Sequence, residues 1–113
     1  MIMQKGKETT ENIALTEAVY YVLLSVIEPM HGYGIMKNVS TLSNNRVNLA
    51  PGTLYGAIDT LQKKNWIFAL QGENNSRKKE YQITKIGEKI LKAEILRLHE
   101  LFENGEKIME EIK

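Results

Sequence analysis

The chain has 113 residues and a formal net charge of +1, with 42% hydrophobic and 26% charged residues. These values suit one globular domain of ordinary composition. Because the sequence contains no cysteine, it excludes disulfides, thiolate metal sites and cysteine nucleophiles. No apolar run reaches the roughly 18 residues of a membrane span, and charged residues interrupt the N-terminus before any signal-peptide pattern develops. We therefore expect a cytoplasmic protein with no membrane partner.

The charge is distributed unevenly along the chain. Residues 31–85 carry five more positive than negative charges, whereas residues 1–30 and residues 86–113 each carry two more negative than positive charges. A basic centre between acidic flanks is expected of a nucleic-acid-binding surface beside a separate dimerisation element. Chance scatter of surface charge explains the same totals, so charge alone leaves the partner open.

The first strong pattern is an almost entirely apolar run over residues 13–27. The run is too long for a typical strand, so it predicts a helix that is buried on most sides and is stopped by Pro29. A domain of this size buries only about two-thirds of its surface, so a second subunit would help to cover such a helix.

Two further helices follow, joined by a short segment. Gly32 and Gly34 open the first, and apolar residues at i, i+4 and i+7 predict its inner face: Ile35, Val39 and Leu42. Residues 43–45 end it, and residues 46–49 are interpreted as a short strand. Pro51 suits the first position of the next helix. The residues that define its buried stripe and its end are Leu54, Ile58, Leu61, Lys63, Lys64 and Asn65.

A hairpin and a last helix complete the pattern. Residues 66–71 and 79–83 predict two strands, with Tyr81 and Ile83 on one face of the second, and residues 72–76 form a polar turn. Thr84 is a candidate N-cap for a helix that would be about 45 Å long if it reached the C-terminus. The sequence leaves open whether this helix continues through the Asn104-Gly105 pair.

This order of elements is that of a winged helix-turn-helix, mainly α with a small β-hairpin, followed by a long C-terminal dimerisation helix. We expect the DNA-binding domain over residues 13–83 and the dimerisation helix over residues 84–113.

The outer face of the third helix carries small and hydrogen-bonding residues. Donors near a helix N-terminus can reach phosphates or base edges in a major groove, and glycines let the backbone come close. Asp59 is unfavourable there unless it accepts a hydrogen bond from a cytosine amino group. Plain solvated surface is the alternative interpretation. The candidate DNA contacts on this helix are Gly52, Thr53, Tyr55, Thr60 and Lys63.

Three cations, Arg77, Lys78 and Lys79, follow the polar turn of the hairpin. Cations at a wing can grip a phosphate backbone or enter a narrow minor groove. The alternative is an edge strand whose charges prevent aggregation. The neighbouring helix favours the DNA-binding interpretation.

The last helix carries apolar residues at alternating spacings of four and three, a period of 3.5 that favours helix pairing. Packing within the chain is the alternative, but a helix of 30 residues extends beyond so small a body. Gly105 interrupts the seam, which ends at Ile112. The large side chains that we expect at a dimer interface are Leu91, Ile95, Leu98, Phe102 and Met109.

The first and last helices also carry a candidate ligand site. In such a dimer, Tyr20, Tyr21, Leu98 and Phe102 would line an apolar space suited to a small aromatic or lipophilic effector, unless they fill a closed core. His31 and His99 are the two histidines, and neither has metal-ligand spacing to another ligand. We expect His31 to pack or hydrogen-bond at a helix start. With no visible nucleophile–base pair, the sequence predicts no enzyme, no metal and no cofactor.

Three strings of residues resemble the PadR family of bacterial transcriptional regulators. They are His-Gly-Tyr-Gly-Ile from His31, Pro-Gly-Thr-Leu-Tyr from Pro51, and Arg-Lys-Lys-Glu-Tyr-Gln-Ile-Thr-Lys-Ile-Gly from Arg77. The match covers roughly residues 14–90, and the single C-terminal helix is similar to that of the small subfamily. The resemblance implies a homodimer that represses a nearby gene from a palindromic operator, with release by a small molecule or drug in several members.

The resemblance also implies roles for individual residues. Thr53 and Tyr55 match recognition-helix positions, and Tyr33 matches the start of the second helix. The basic wing corresponds to Arg77, Lys78 and Lys79.

Some positions depart from the family pattern. Ala50 replaces the hydroxyl residue that commonly caps the recognition helix, and Asp59 and Thr60 stand where basic residues are frequent. The last helix has no Trp, which argues against an aromatic-sandwich drug site. Two hypotheses therefore remain. The wing cations and the open helix face favour a DNA-binding regulator, whereas Asp59 and the low net charge favour a winged-helix protein-interaction module that does not bind DNA.

Overall fold

The computed structural model describes residues 14–71 and 79–112, which are mainly helical with one small antiparallel sheet, as the sequence predicts. No helix in these ranges is long and apolar enough to cross a membrane, and no three metal-ligating side chains in them come together. The elements in chain order are α1 (Glu17–Ser25), β1 (Met30–His31), α2 (Gly32–Leu42), α3 (Pro51–Lys63), β2 (Ile67–Leu70), β3 (Glu80–Ile83) and α4 (Lys85–Glu110).

Helix α1 is shorter than the apolar run in its sequence predicts. Thr16 begins it as the N-cap, because its hydroxyl accepts a hydrogen bond from the Val19 N–H at 3.1 Å. The prediction of a helix buried on most sides holds in part: only Glu17 of α1 is exposed, and its other residues are buried or half-buried. Ile13, the first residue of the predicted run, lies outside the described residues. The buried residues of α1 are Val22, Leu23 and Ser25.

Helix α2 begins where the sequence predicts. His31 is its N-cap, and the His31 Nδ1 accepts a hydrogen bond from the Gly34 N–H at 3.1 Å. The predicted role of His31 at a helix start is thus confirmed. Ile35 and Val39 are fully buried, as expected for the inner face.

The end of α2 and the following segment differ from the prediction. Leu42 is 49% exposed, because the buried stripe continues from Val39 to Ser43, four residues later, and not to Leu42. The Ser43 hydroxyl accepts a hydrogen bond from the Val47 N–H at 2.9 Å. Residues 46–49 form a loop and not a short strand. Val47 and Leu49 still pack against the core, which explains their apolar pattern.

Helix α3 follows its sequence signals closely. Pro51 is its first residue, and Ala50 stands at the N-cap with no side-chain hydrogen bond. The backbone of Asn65 is left-handed, with φ 65°, and ends the helix as predicted. The buried stripe consists of Leu54, Ile58 and Leu61.

The sheet has the order β1-β3-β2, with β3 in the centre. Both predicted hairpin strands are present with shorter bounds, and Ile67 pairs with Ile83. Tyr81 and Ile83 are buried, as predicted. The sequence did not predict β1, in which Met30 pairs with Tyr81. The predicted turn over residues 72–76 lies outside the described residues.

Helix α4 is capped by Thr84, whose hydroxyl accepts a hydrogen bond from the Gly87 N–H at 3.0 Å, and it continues unbroken through Asn104 and Gly105. Beyond Glu94 no residue of α4 is buried, so the helix leaves the body there. The described chain is accordingly elongated, with extents of 58 × 39 × 21 Å. The buried residues of α4 are Gly87, Ile90, Leu91 and Glu94.

Candidate nucleic-acid interface

The outer face of α3 is open to solvent: Gly52, Thr53, Tyr55, Gly56 and Lys63 are all exposed. A Cβ built on Gly52 or on Gly56 would meet no atom within 4 Å. Packing within the chain therefore requires a glycine at neither position, although a glycine in a helix interior costs about 1 kcal/mol relative to alanine. The outer face of α3 has no side-chain bulk at Gly52 and Gly56, so another molecule can come close to the α3 backbone there.

Tyr55 joins this outer face to the start of α2. Its ring packs over Gly32, where an added Cβ would lie 2.8 Å from the Tyr55 Cζ and 3.1 Å from its Cε1. Gly32 is buried, whereas Tyr55 is 49% exposed. Gly32 must therefore stay small for Tyr55 to keep its position, and the rest of the ring is presented at the surface.

Tyr33 stands on the surface at the start of α2. Its ring stacks on that of His31, with centroids 6.5 Å apart and planes 8° apart. The Lys37 Nζ lies 5.7 Å from the Tyr33 ring centroid, within the range in which a cation is attracted to an aromatic face. These contacts hold a hydroxyl and an ammonium group side by side at the end of α2 nearest to Tyr55.

Lys63 and Asp59 form an ion pair on α3, with 3.1 Å between Nζ and Oδ2. Both side chains are more than half exposed, and exposed pairs of this kind contribute only about 0–1 kcal/mol. The Lys63 ammonium can therefore leave Asp59 for a phosphate at little cost. The carboxylate nevertheless lowers the positive charge of this face.

Thr60 is exposed one turn before Lys63, at the edge of α3 that faces α1. It lines an apolar pocket of about 290 Å³ between these two helices. The other residues that line the pocket are Leu15, Thr16, Val19, Ala57, Leu61, Lys64 and Trp66.

Lys79 is exposed and directly precedes β3. Because Leu70 pairs with Glu80, Lys79 lies at the end of the hairpin stem that leads into its turn. Arg77 and Lys78 lie outside the described residues, so their part in a basic wing stays a prediction.

The predicted dimer seam on α4 divides into two parts. Leu91 is only 4% exposed and belongs to the core of its own chain, so the structure removes it from the surface that a partner could meet. Phe102, in contrast, is 62% exposed. A long row of exposed apolar side chains on a helix that leaves the body is typical of an interaction surface. The exposed members of the predicted seam are Ile95, Leu98, Phe102, Met109 and Ile112.

The four residues of the predicted ligand site lie on two helices. The rings of Tyr20 and Tyr21 on α1 meet edge to face, with centroids 5.7 Å apart. Burial raises the pKa of Tyr20, with smaller effects from Tyr21 and Glu94, so its hydroxyl stays protonated. Leu98 and Phe102 are exposed on α4. A ligand-binding role for these residues stays a prediction.

Sequence reasoning missed a buried carboxylate on α4, that of Glu94. It accepts two hydrogen bonds from Arg97, both at 2.7 Å, and one from the Leu15 N–H at 3.1 Å. The Arg97 hydrogen bonds hold the pKa of Glu94 below its ordinary value, although burial opposes this effect. The one sequence signal was an i, i+3 Glu–Arg spacing, which is equally common on solvated helix faces.

A second contact that the sequence did not predict joins Glu17, in the first turn of α1, to Arg46. The Arg46 Nε donates a hydrogen bond to the Glu17 Oε2 at 2.8 Å, and this contact raises the pKa of Arg46. Through it, α1 is joined to the loop that precedes α3.

The helix pair α2–α3, the strands β2 and β3, and the long α4 together define a winged helix-turn-helix protein. Comparison with known proteins agrees with this class. Residues 21–93 match the sequence model of the transcriptional regulator PadR-like family. The chain belongs to this family. Its members are transcriptional regulators, so the chain is a regulator and not an enzyme.

Individual proteins are also similar to this chain. An uncharacterized protein of Lysinibacillus sphaericus is 31% identical over 83 residues, which cover 66% of this chain and 76% of the relative. A transcriptional regulator of Clostridium thermocellum is 26% identical, with a TM-score of 0.60, over 84% of this chain and 90% of that chain. A PadR family transcriptional regulator of Eggerthella lenta is 25% identical, with a TM-score of 0.66, over 81% of this chain and 80% of that chain.

Proposed function

We propose that the chain is a cytoplasmic, homodimeric repressor that binds a palindromic operator sequence-specifically. The observation that supports this most is the low outer face of α3, where Gly52 and Gly56 leave space that packing within the chain does not need. A major groove uses such space, because a helix without side-chain bulk can bring its backbone close to phosphates and base edges.

In the proposed complex α3 enters the major groove. The Thr53 hydroxyl and the exposed part of Tyr55 contact base edges or nearby phosphates, and Lys63 exchanges Asp59 for a phosphate. The remaining contacts are to the backbone, from Tyr33 on the α2 side, from Thr60 on the flank of α3, and from the wing. The wing residues in this proposal are Arg77, Lys78 and Lys79.

The proposed dimer forms through the exposed part of α4. When two such helices pair, four exposed apolar side chains lose their contact with water: Ile95, Leu98, Phe102 and Met109. Two recognition helices on successive major grooves must lie about 34 Å apart, and the outward direction of α4 sets that distance.

An effector site is part of the proposal. A small aromatic or lipophilic molecule would bind between Tyr20 and Tyr21 of α1 and Leu98 and Phe102 of α4, where two subunits meet. Binding would release the operator by favouring another spacing of the recognition helices. The test is a panel of planar aromatic compounds followed by quenching of Trp66, by thermal shift and by operator release. A flat response across the panel contradicts the effector site.

The DNA-binding function is tested by a gel shift with the DNA upstream of the protein's own coding sequence. A scrambled duplex of equal length is the control. We expect a shift of the upstream DNA at protein concentrations that leave the control free. If neither this duplex nor a random-sequence library is bound, DNA binding is contradicted and a protein-interaction module becomes the better hypothesis.

A further inference from the structure

Glu94 is the one charged residue that is buried among residues 14–71 and 79–112, and its side chain is 2% exposed. It is also the last buried residue of α4. A carboxylate in this place is costly unless each oxygen has a partner. Both oxygens have one: Oε1 accepts from Arg97, and Oε2 accepts from Arg97 and from the Leu15 N–H.

One of these hydrogen bonds, from the Leu15 N–H, connects α4 to the start of α1, whereas the two from Arg97 lie within α4 and hold the carboxylate in place. Leu15 directly precedes the N-cap of α1, and 79 positions separate it from Glu94. Two residues later, Glu17 is paired with Arg46 in the loop before α3. The first turn of α1 is therefore held on one side by the helix that carries the proposed dimer surface, and on the other by the loop that leads into the recognition helix.

Beyond Glu94, α4 extends away from the body, so a small change of its angle at Glu94 moves its far end by a larger distance. The 16 residues from Ile95 to Glu110 follow it, and at 1.5 Å per residue they extend about 24 Å. A tilt of about 10° at Glu94 would move the far end of such a helix by about 4 Å. This displacement exceeds the rise of one base pair, about 3.4 Å.

We propose that Glu94 is a positioning residue that fixes the direction in which α4 leaves the body, and thereby the half-site spacing that the dimer accepts. The second part rests on the proposed function. An apolar side chain could fill the same space, but only a carboxylate has the two acceptor oxygens that receive both Arg97 hydrogen bonds together with the one from the Leu15 N–H. The charge-assisted Arg97 bonds fix the orientation of the carboxylate, and the carboxylate in turn fixes where the Leu15 N–H meets α4.

The first test measures the angle without DNA. Because the chain has no cysteine, Gln62→Cys on α3 and Glu106→Cys on α4 give a single pair of spin labels. Dilution with unlabelled chain restricts the signal to distances within one chain. We expect a narrow distance distribution in the parent pair and one at least about twice as wide after Glu94→Gln. Arg97→Gln, at a more exposed residue, should have the same effect and decides the question if Glu94→Gln does not fold.

Glu100→Gln is the matched control, since Glu100 is an exposed glutamate on the same helix. It should leave the distribution unchanged. If Glu94→Gln or Arg97→Gln leaves both the centre and the width of the distribution unchanged, the role of Glu94 in directing α4 is refuted.

The second test uses operators in which the two half-sites are moved apart or together by one or two base pairs. We expect the parent protein to prefer one spacing by about tenfold or more, and Glu94→Gln to reduce this preference to about threefold or less. Affinity for a single half-site should not change. Equal loss at every spacing would mean that Glu94 only stabilises the fold. If the parent protein binds no operator, the proposed function has failed, and the distance measurement alone decides whether Glu94 directs α4.

Discussion

The Tyr55 ring lies directly over Gly32, where the recognition helix α3 meets the start of α2. The position of this ring depends on Gly32 having no side chain. An added Cβ on Gly32 would lie 2.8 Å from the Tyr55 Cζ, closer than packed carbon atoms allow. Since Tyr55 is half exposed, its ring can move outward. A change at a buried glycine is therefore transmitted to the proposed DNA-binding face.

We expect Gly32→Ala to displace the Tyr55 ring and to weaken operator binding. The free energy of unfolding should fall by only about 1–2 kcal/mol, because the crowded atoms belong to the mobile end of a side chain. Adding Tyr55→Ala removes the crowding, so the double variant should recover part of the stability lost by Gly32→Ala. Chemical denaturation of both single variants and of the double variant measures this coupling. Strictly additive losses would contradict the contact.

Gly56→Ala should make the protein more stable and a poorer DNA binder. The added methyl meets open space inside the chain, so the helix gains about 0.5–1 kcal/mol. The same methyl would project into the groove that α3 occupies on DNA. Gly105→Ala on α4 is the control on a single half-site, where pairing of α4 plays no part, because it also meets open space and should stabilise without loss of affinity. Equal DNA binding by the two variants would remove the low face of α3 from the interface.

Lys79→Ala should weaken binding to all DNA sequences alike, because a phosphate contact carries no sequence information. The slope of log affinity against log salt concentration should become shallower by about 0.9. Fluorescence anisotropy at several salt concentrations measures it. Lys92→Ala, at an exposed lysine of α4, is the control and should leave the slope as it is. An unchanged slope for Lys79→Ala would place this residue outside the interface.

Leu98→Glu should yield monomers or insoluble chain, because it introduces a charge into the apolar surface that we propose to pair. The parent protein should sediment as a dimer at micromolar concentration. Lys92→Glu also changes a charge on α4, at an exposed residue outside the apolar row, and should stay dimeric. A parent protein that is monomeric under these conditions would refute the proposed dimer.

The stabilising effect of Glu94 should depend on pH in a defined direction. Its pKa is lower in the folded state than its ordinary value, chiefly because Arg97 donates hydrogen bonds to the carboxylate. Its contribution is therefore fully present above the unfolded pKa of about 4.3 and is lost as the pH falls through the folded pKa. The difference in unfolding free energy between the parent and Glu94→Gln should be constant from pH 5 to 7 and should shrink below about pH 4. A difference that stays constant at low pH would contradict an ionised Glu94.

Elements that depend on local patterns could be predicted from the sequence. The buried stripe of α3, the left-handed Asn65 and the N-cap Thr84 each follow from residues within one or two turns of each other. The same holds for Tyr81 and Ile83, whose alternation in β3 places both toward the core.

The features that were missed depend on residues far apart in the chain. Strand β1 has only two residues, Met30 and His31, and no alternation; it becomes a strand because β3 offers it a partner about 50 positions later. Glu94 has the sequence context of a solvated face, and it is buried where α4 packs against α1 and meets the Leu15 N–H. Leu42 follows the helical period of Ile35 and Val39, but α2 ends at Leu42, and Ser43 is buried in its place.

The division of α4 at Glu94 also bears on how relatives of this chain can diverge. Apart from Arg97, which pairs with the buried Glu94, residues 95–112 contribute no side chain to the core, so substitutions at the other positions leave the folding of the body intact. Gene duplicates can therefore acquire different pairing preferences along this segment while they keep the same DNA-reading body. Two such regulators in one cell could then avoid forming mixed dimers through changes in only a few exposed apolar positions.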